Sequence, residues 1–171
     1  LYELFYLFLE EDYLGLLYQS LSTEGSRSSQ GAYFTPTKLV LDSLNNIKIP
    51  ITTFLDPCCG TGKFLMHAAS VLALQPQNIF GFDLDAVAVN IARINLLLKY
   101  GTIDFEPRIY CMDSLSELAT GEMFCGTNHF LNSIDAIATN PPWGADKNSV
   151  AKKKLRGTVK SGETFSLFIE K

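Results

Sequence analysis

No stretch of the 171 residues is apolar for long enough to cross a bilayer as a helix, so no membrane partner is expected. The apolar opening, Leu4 to Leu9, is bounded by Glu3 and by Glu10, Glu11 and Asp12. It has no basic leader and does not read as a secretory signal. The four cysteines, Cys58, Cys59, Cys111 and Cys125, lack the spacing of metal ligands, and no metal is expected. Cys58 and Cys59 are adjacent and cannot easily bridge each other; a reducing, cytoplasmic compartment is expected. Positive charge is not in excess either: 14 Lys and Arg stand against 18 Asp and Glu, a net charge of -4. That balance speaks against a self-sufficient nucleic-acid binder. Internal repeats and low-complexity tracts are absent. So is a Walker loop, because no Gly-x-x-x-x-Gly-Lys-Ser/Thr occurs, and Leu65 breaks the Gly-x-Gly-x-x-Gly pattern begun at Gly60.

What is present is a chain with 47% hydrophobic residues, long enough to bury one core. Residues 1–21 read as a helix that is apolar on most sides and therefore packed. Glu24 to Gly31 is a polar loop, so residues 1–30 form an N-terminal helical segment ahead of a main domain over 31–171. Thr35 reads as an N-cap and Pro36 as the first residue of a helix to about Leu44, whose opening end suits an anionic group such as a carboxylate. Strands are predicted at Thr52–Leu55, Ile79–Leu84, Arg108–Cys111 and Ile134–Ile137. Between them come helices from Phe64 to about Leu74 and from Ala86 to Lys99, the second capped by Asp85. Residues 120–132 and 144–162 read as loops, and a last helix starts at Ser161. Strands alternating with helices predict an α/β fold with a doubly wound, mainly parallel sheet. The chain has no initiator Met and stops within an apolar helical pattern at Lys171, so it is expected to be a piece of something longer, incomplete at the C-terminus.

The chemistry-bearing residues fall at the carboxyl ends of these strands, where ligands bind in an open α/β sheet. The first strand runs into Asp56-Pro57-Cys58-Cys59-Gly60-Thr61-Gly62-Lys63-Phe64. Gly60 and Gly62 allow a tight turn and close backbone approach, while the acidic Asp56 disfavours a pyrophosphate and suits a ligand with a cationic amino group. Lys63 is therefore not read as a phosphate lysine. Asp83 lies about 20 residues on, where such folds hold ribose hydroxyls. Asp113, beside Ser114, can accept the amino hydrogen of an adenine or cap a helix. Together they suit an adenosine with a cationic tail. The fourth strand delivers Asn140-Pro141-Pro142-Trp143. Two prolines end the strand. Asn140 and the Pro141 carbonyl can accept two N–H bonds, and Trp143 can stack on a planar ring. Six of the 14 basic residues sit between Lys147 and Lys160. Among them the run Lys152, Lys153, Lys154, Arg156 is either a solvated surface or a contact to phosphates.

These motifs, with Gly31-Ala32-Tyr33-Phe34-Thr35-Pro36 ahead of them, resemble those of the N6-adenine DNA methyltransferases of restriction–modification systems. The resemblance is to the group with the cofactor motifs first, the gamma-type order, and covers roughly residues 30 to 171. It implies S-adenosylmethionine as cofactor and double-stranded DNA with a flipped adenine as substrate. By position, Thr35 and Asp56 take the methionine end, Asp83 the ribose and Asp113 the adenine amino group. Tyr33, Cys58, Gly60, Gly62, Phe64, Leu84 and Ser114 complete the cofactor site. Asn140, Pro141, Pro142 and Trp143 form the catalytic motif. The family's further strands, its second aromatic facing the base and its target-recognition domain or subunit are missing from this chain. Two other readings stay open: methylation of a glutamine side chain or an RNA base, and a non-catalytic remnant that binds S-adenosylmethionine or docks to a partner.

Overall fold

The computed structural model describes residues 11–21, 35–115, 133–142 and 168. Four strands, β1 (Phe54–Asp56), β2 (Ile79–Asp83), β3 (Arg108–Cys111) and β4 (Ala136–Ile137), form one sheet in the order β3-β2-β1-β4. Every pair is parallel: Leu55 lies opposite both Phe80 and Ile137, and Gly81 lies opposite Ile109. The central strands β1 and β2 are buried on both faces, which is why their sequences read as apolar runs with little alternation, whereas β3 and β4 are partly exposed. The α/β expectation holds, with strand boundaries displaced by one or two residues. The helices are α1 (Tyr13–Leu21), α2 (Thr37–Asn45), α3 (Lys63–Val71) and α4 (Ala86–Tyr100). Among the described residues no helix is long and apolar enough to cross a membrane.

One face of the sheet presents Phe54, Ile79 and Ile109. It packs against Val40 and Leu44 of α2, Leu65 and Ala68 of α3, and Val89, Ala92 and Leu96 of α4. α3 is the central helix, buried at every position from Lys63 to Ala69. The opposite face carries Leu55, Phe80 and Phe82, with Tyr110, Met112 and Ile134 packed on them. Strand β3 is held to α4 by Arg93, whose Nε and Nη2 both donate to the Ile109 carbonyl, at 2.9 and 2.6 Å. At the other end of the sheet, the Asp135 carboxylate accepts the Thr52 and Thr53 amides at 2.7 and 2.9 Å, clamping the start of β4 to the approach to β1.

Two local expectations need correction. The helix foreseen over residues 1–21 is not continuous. Glu11 and Asp12 are not helical, and Asp12 instead caps α1, its carboxylate accepting the Gly15 amide at 2.7 Å. Nor does Thr35 cap the second helix. Pro36 has an extended ψ of 137° and stands in the cap position; its carbonyl accepts the Leu39 and Val40 amides at 2.9 and 3.2 Å. A proline carbonyl accepts as well as any other, and the ring disfavours a helical conformation for the residue before it. The Thr35 hydroxyl is thereby left for another use. The helix expected from Ser161 lies outside the described residues.

Candidate functional site

The strand order reverses between β1 and β4. From β1 the chain proceeds to β2 on one side, and β4 returns on the other. In an open parallel sheet this leaves a crevice at the carboxyl ends of those two strands. At those ends lie Asp56, the last residue of β1, and, beyond an Ala138 amide that still bonds the Leu55 carbonyl at 3.3 Å, Thr139 and Asn140.

Asp56 is 1% exposed. Its carboxylate accepts the Cys58 amide at 3.1 Å, and the Thr139 side chain lies beside it. The Thr139 hydroxyl is itself buried without a hydrogen bond of ordinary geometry. Burial drives the Asp56 pKa up to about 7, the nearby Asp83 charge adds to the rise, and the donors beside it only partly offset it. The same burial, with the charges of Asp56 and Asp83, pushes the Cys58 and Cys59 thiols up, so both remain protonated and unreactive at neutral pH.

The glycine turn is built from its ends. The Cys59 amide donates to the Phe82 carbonyl and the Gly62 amide to the Cys59 carbonyl, both at 2.8 Å. Gly60 and Gly62 have φ of +52° and +91°, the left-handed region open to glycine. They differ in what surrounds them. A Cβ on Gly60 would meet nothing within 4 Å, whereas one on Gly62 would lie 3.0 Å from the Ala92 Cβ. Gly60 therefore leaves room for a ligand. Gly62 lets the turn abut α4.

Asp83 holds this turn in place: its two carboxylate oxygens accept the Gly60 amide at 2.7 Å and the Asp85 amide at 2.9 Å. Burial raises its pKa, and these backbone donors oppose the rise. Asp85 caps α4 as expected, accepting the Val87 and Ala88 amides at 2.9 and 3.3 Å, and also receives the Tyr18 hydroxyl from α1. Asp113 accepts the Leu115 amide at 2.9 Å, and the Ser114 hydroxyl donates to the Pro57 carbonyl at 2.5 Å.

A small pocket of about 70 Å³, open to solvent, lies at the crevice. Its walls are Gln19, Thr35, Asp56, Cys58, Cys59, Gly60, Thr61, Lys63, Phe64 and Asn140. It brings together six of the residues singled out from the sequence: Thr35, Asp56, Cys58, Gly60, Phe64 and Asn140. Gly62, Asp83, Leu84, Asp113, Ser114, Pro141 and Pro142 do not line it, and Leu84 is 72% exposed. Tyr33, Trp143, Lys152, Lys153, Lys154 and Arg156 lie outside the described residues. Across the pocket Asn140 Nδ2 donates to Thr35 Oγ1 at 3.1 Å.

Four wall residues, Gln19, Cys59, Thr61 and Lys63, are not among the site residues read from the sequence. Lys63 is 7% exposed; burial lowers its pKa, while the charges of Glu11 and Asp12 oppose the fall. The sequence places it directly after the glycine turn. Gln19 arrives from α1 and has no sequence signal at all. The pocket lining thus carries an acid and a base, Asp56 and Lys63.

Residues 9–164 match the family model described as N-6 DNA Methylase. A type II methyltransferase, M.VspI, of Vibrio sp. (strain 343) is 29% identical over 159 residues, covering 89% of this chain and 36% of that protein. A tRNA (guanine(10)-N2)-dimethyltransferase of Methanocaldococcus jannaschii is 33% identical over 104 residues, 58% of this chain and 24% of that one. Among solved structures, the modification subunit of a putative type I restriction enzyme from Vibrio vulnificus YJ016 superposes with a TM-score of 0.62 at 24% identity, covering 92% of this chain and 34% of the other. The chain spans about a third of the length of the curated relatives that lead these matches.

Proposed function

Because the chain belongs to the N-6 DNA methylase family, we propose that it is the cofactor-binding and catalytic part of a restriction–modification enzyme, and that this enzyme moves a methyl group from S-adenosylmethionine to the N6 amino group of adenine in double-stranded DNA. The observation that carries this reading is the placement of Asp56 and Asn140 in one pocket at the point of strand reversal. The cofactor fits the charges there. Its methionine end is a zwitterion, and the pocket wall offers the Asp56 carboxylate to an ammonium and Lys63 to a carboxylate. Gly60 leaves open space at the turn. Asp83, by holding that turn, and Asp113 stand toward the nucleoside end.

When bound, S-adenosylmethionine supplies an electrophilic methyl on a sulfonium. The chain's residues prepare the nucleophile. An adenine N6 is a poor one, because its lone pair is delocalised into the ring. Asn140 Oδ1 and the Pro141 carbonyl accept its two N–H bonds and localise that lone pair. They would also stabilise the positive charge that grows on nitrogen as the N–C bond forms and the C–S bond breaks, the sulfonium leaving as a neutral thioether and one N6 proton passing to water, and much of the rate would come from positioning. The adenine leaves the duplex to reach the site, with Trp143 stacking on it. Lys152, Lys153, Lys154 and Arg156 contact phosphates in the intact enzyme. Sequence choice belongs to a target-recognition domain or subunit beyond these residues. The enzyme works in a prokaryotic cytoplasm, with residues 31–171 as its catalytic domain and residues 1–30 as a helical segment ahead of it.

The test is methyl transfer by the full-length protein to unmethylated genomic DNA, followed by digestion to nucleosides and mass spectrometry. N6-methyladenine is expected, with at least about a 100-fold loss for Asn140→Ala. Cofactor binding without product on DNA would sink the reading. A second reading has its own support in the likeness to a tRNA methyltransferase. The same assay with tRNA tests it, and a methylated guanine from tRNA in place of methyladenine from DNA would favour it.

A further inference from the structure

Helix α1 is docked with its polar side inward. Asp12, Gly15 and Gln19 recur at helical spacing along one face. Asp12 receives the Thr61 hydroxyl of the glycine turn and the Asn95 amide of α4. Gln19, about two turns on, is half-buried and lines the pocket. The opposite face carries Leu14, Leu17 and Leu21, which are 37, 57 and 75% exposed. A surface helix held by core packing turns the other way. We propose that α1 is a wall of the cofactor site and that Gln19 is a binding residue for the amino-acid end of S-adenosylmethionine, through hydrogen bonds made by its carboxamide. This rests on the cofactor reading given above.

The docking of α1 is built for close approach to the site. Gly15 is buried, and a Cβ there would collide with the Asp12 carboxylate and the Thr61 hydroxyl. Glycine inside a helix is otherwise unfavourable; here it lets α1 lie against the glycine turn. The Tyr18 hydroxyl donates to Asp85 at the head of α4, so an anchor stands directly beside Gln19. The pocket that Gln19 lines holds Asp56 and Lys63, whereas Asp83 and Asp113, on the nucleoside side, do not line it. Gln19 therefore meets the zwitterionic end of the cofactor. That end presents three ammonium N–H groups and two carboxylate oxygens, more than one carboxylate and one ammonium satisfy, and a polar group taken from water without a partner weakens binding. A carboxamide offers an acceptor and two donors, so either of its orientations serves. It also adds no charge beside Asp56 and Lys63.

The experiment compares two ligands by calorimetry on the full-length protein: S-adenosylhomocysteine, which carries the amino-acid end, and methylthioadenosine, which lacks it. The variants are Gln19→Ala and Gln19→Leu, the second keeping bulk while deleting the hydrogen bonds. Each is expected to raise the Kd for S-adenosylhomocysteine at least about tenfold, and that for methylthioadenosine less than about threefold. A purely structural role for Gln19 would weaken both ligands alike, so equal losses overturn the proposal, as does an unchanged Kd for S-adenosylhomocysteine. A second arm needs only the wild-type fold. With ¹⁵N-glutamine labelling, the Gln19 side-chain amide, assigned by its disappearance in Gln19→Glu, is expected to shift on addition of S-adenosylhomocysteine and to stay in place with methylthioadenosine. An amide unmoved by S-adenosylhomocysteine that does bind overturns the role of Gln19 and leaves the cofactor reading standing. A wild-type protein that binds neither S-adenosylmethionine nor S-adenosylhomocysteine overturns the cofactor reading itself, and this inference with it.

Discussion

The Asp12 carboxylate accepts the Asn95 side-chain amide at 2.6 Å across 83 residues of chain. Both residues are at most 3% exposed. The same carboxylate closes the first turn of α1 through the Gly15 amide and receives the Thr61 hydroxyl from the glycine turn. Asn95 also donates to the Thr61 carbonyl at 2.9 Å. One buried acid thus binds the N-terminal helix, the ligand turn and α4 together.

Removing that acid leaves several buried donors without partners. Asp12→Ala is expected to lower stability by about 3 kcal/mol, measured by urea unfolding. A loss under about 1 kcal/mol would mean that packing, not this cluster, joins α1 to the fold.

On the proposed role of Asp56 at the ammonium, cofactor binding is expected to depend on pH. The Asp56 carboxyl, raised to about 7 by burial, is protonated in the empty pocket under mildly acidic conditions, whereas a cationic ammonium favours the ionised form. Affinity for S-adenosylmethionine is expected to be flat above about pH 7 and to weaken by up to about tenfold per pH unit below it. Calorimetry from pH 5 to 8 checks this. A flat profile would remove Asp56 from the ammonium site.

The same shift predicts a stability gain from substitution. The folded state holds the Asp56 proton more tightly than the unfolded chain. Its stabilising contribution is therefore complete below about pH 4 and lost as pH rises through about 7. At pH 8 Asp56 is a buried charge that opposes folding. Asp56→Asn is expected to be more stable there by about 2 kcal/mol while binding cofactor worse, the trade between stability and function found at ligand sites. Equal unfolding midpoints at pH 8 would count against it.

The two glycines of the turn separate packing from binding. Gly62→Ala places a methyl 3.0 Å from the Ala92 Cβ at φ of +91°, and is expected to cost about 3 kcal/mol of stability. Gly60→Ala meets no neighbour and is expected to cost about 1 kcal/mol for its left-handed backbone. Gly60 lines the pocket, so a methyl there is expected to raise cofactor Kd more than tenfold. Thermal melts beside calorimetry read both quantities.

The neighbouring acids divide in the same way. Asp85→Ala removes the cap of α4 and the partner of Tyr18, and should cost about 1 to 2 kcal/mol with cofactor Kd nearly unchanged. Asp83→Ala releases the Gly60 amide, and should weaken both stability and cofactor binding. If Asp85→Ala proved the more harmful to binding, the assignment of the two acids would be reversed.

Several of these features stand in the sequence because their causes are local. The central strands β1 and β2 read as apolar runs since both their faces are buried, and Asp85 reads as a cap since the amides it serves are two and three residues away. Gly60 and Gly62 mark the turn because few other residues take a positive φ. Thr35 misled for the same reason: threonine before proline ahead of an apolar run satisfies every local rule for a cap, and only the position of Asn140 shows where the hydroxyl goes.

What the sequence by itself determined is the set of elements, their order, and the chemistry delivered at the end of each strand. The tertiary structure alone decided which of those ends share a pocket. Placing β4 beside β1 brought Asn140 to Asp56 and Thr35, while docking α1 supplied Gln19 and set Asp12 against Thr61 and Asn95. A contact that closes more than eighty residues of chain is selected by the packing of the whole core, and the sequence near either partner carries no record of it.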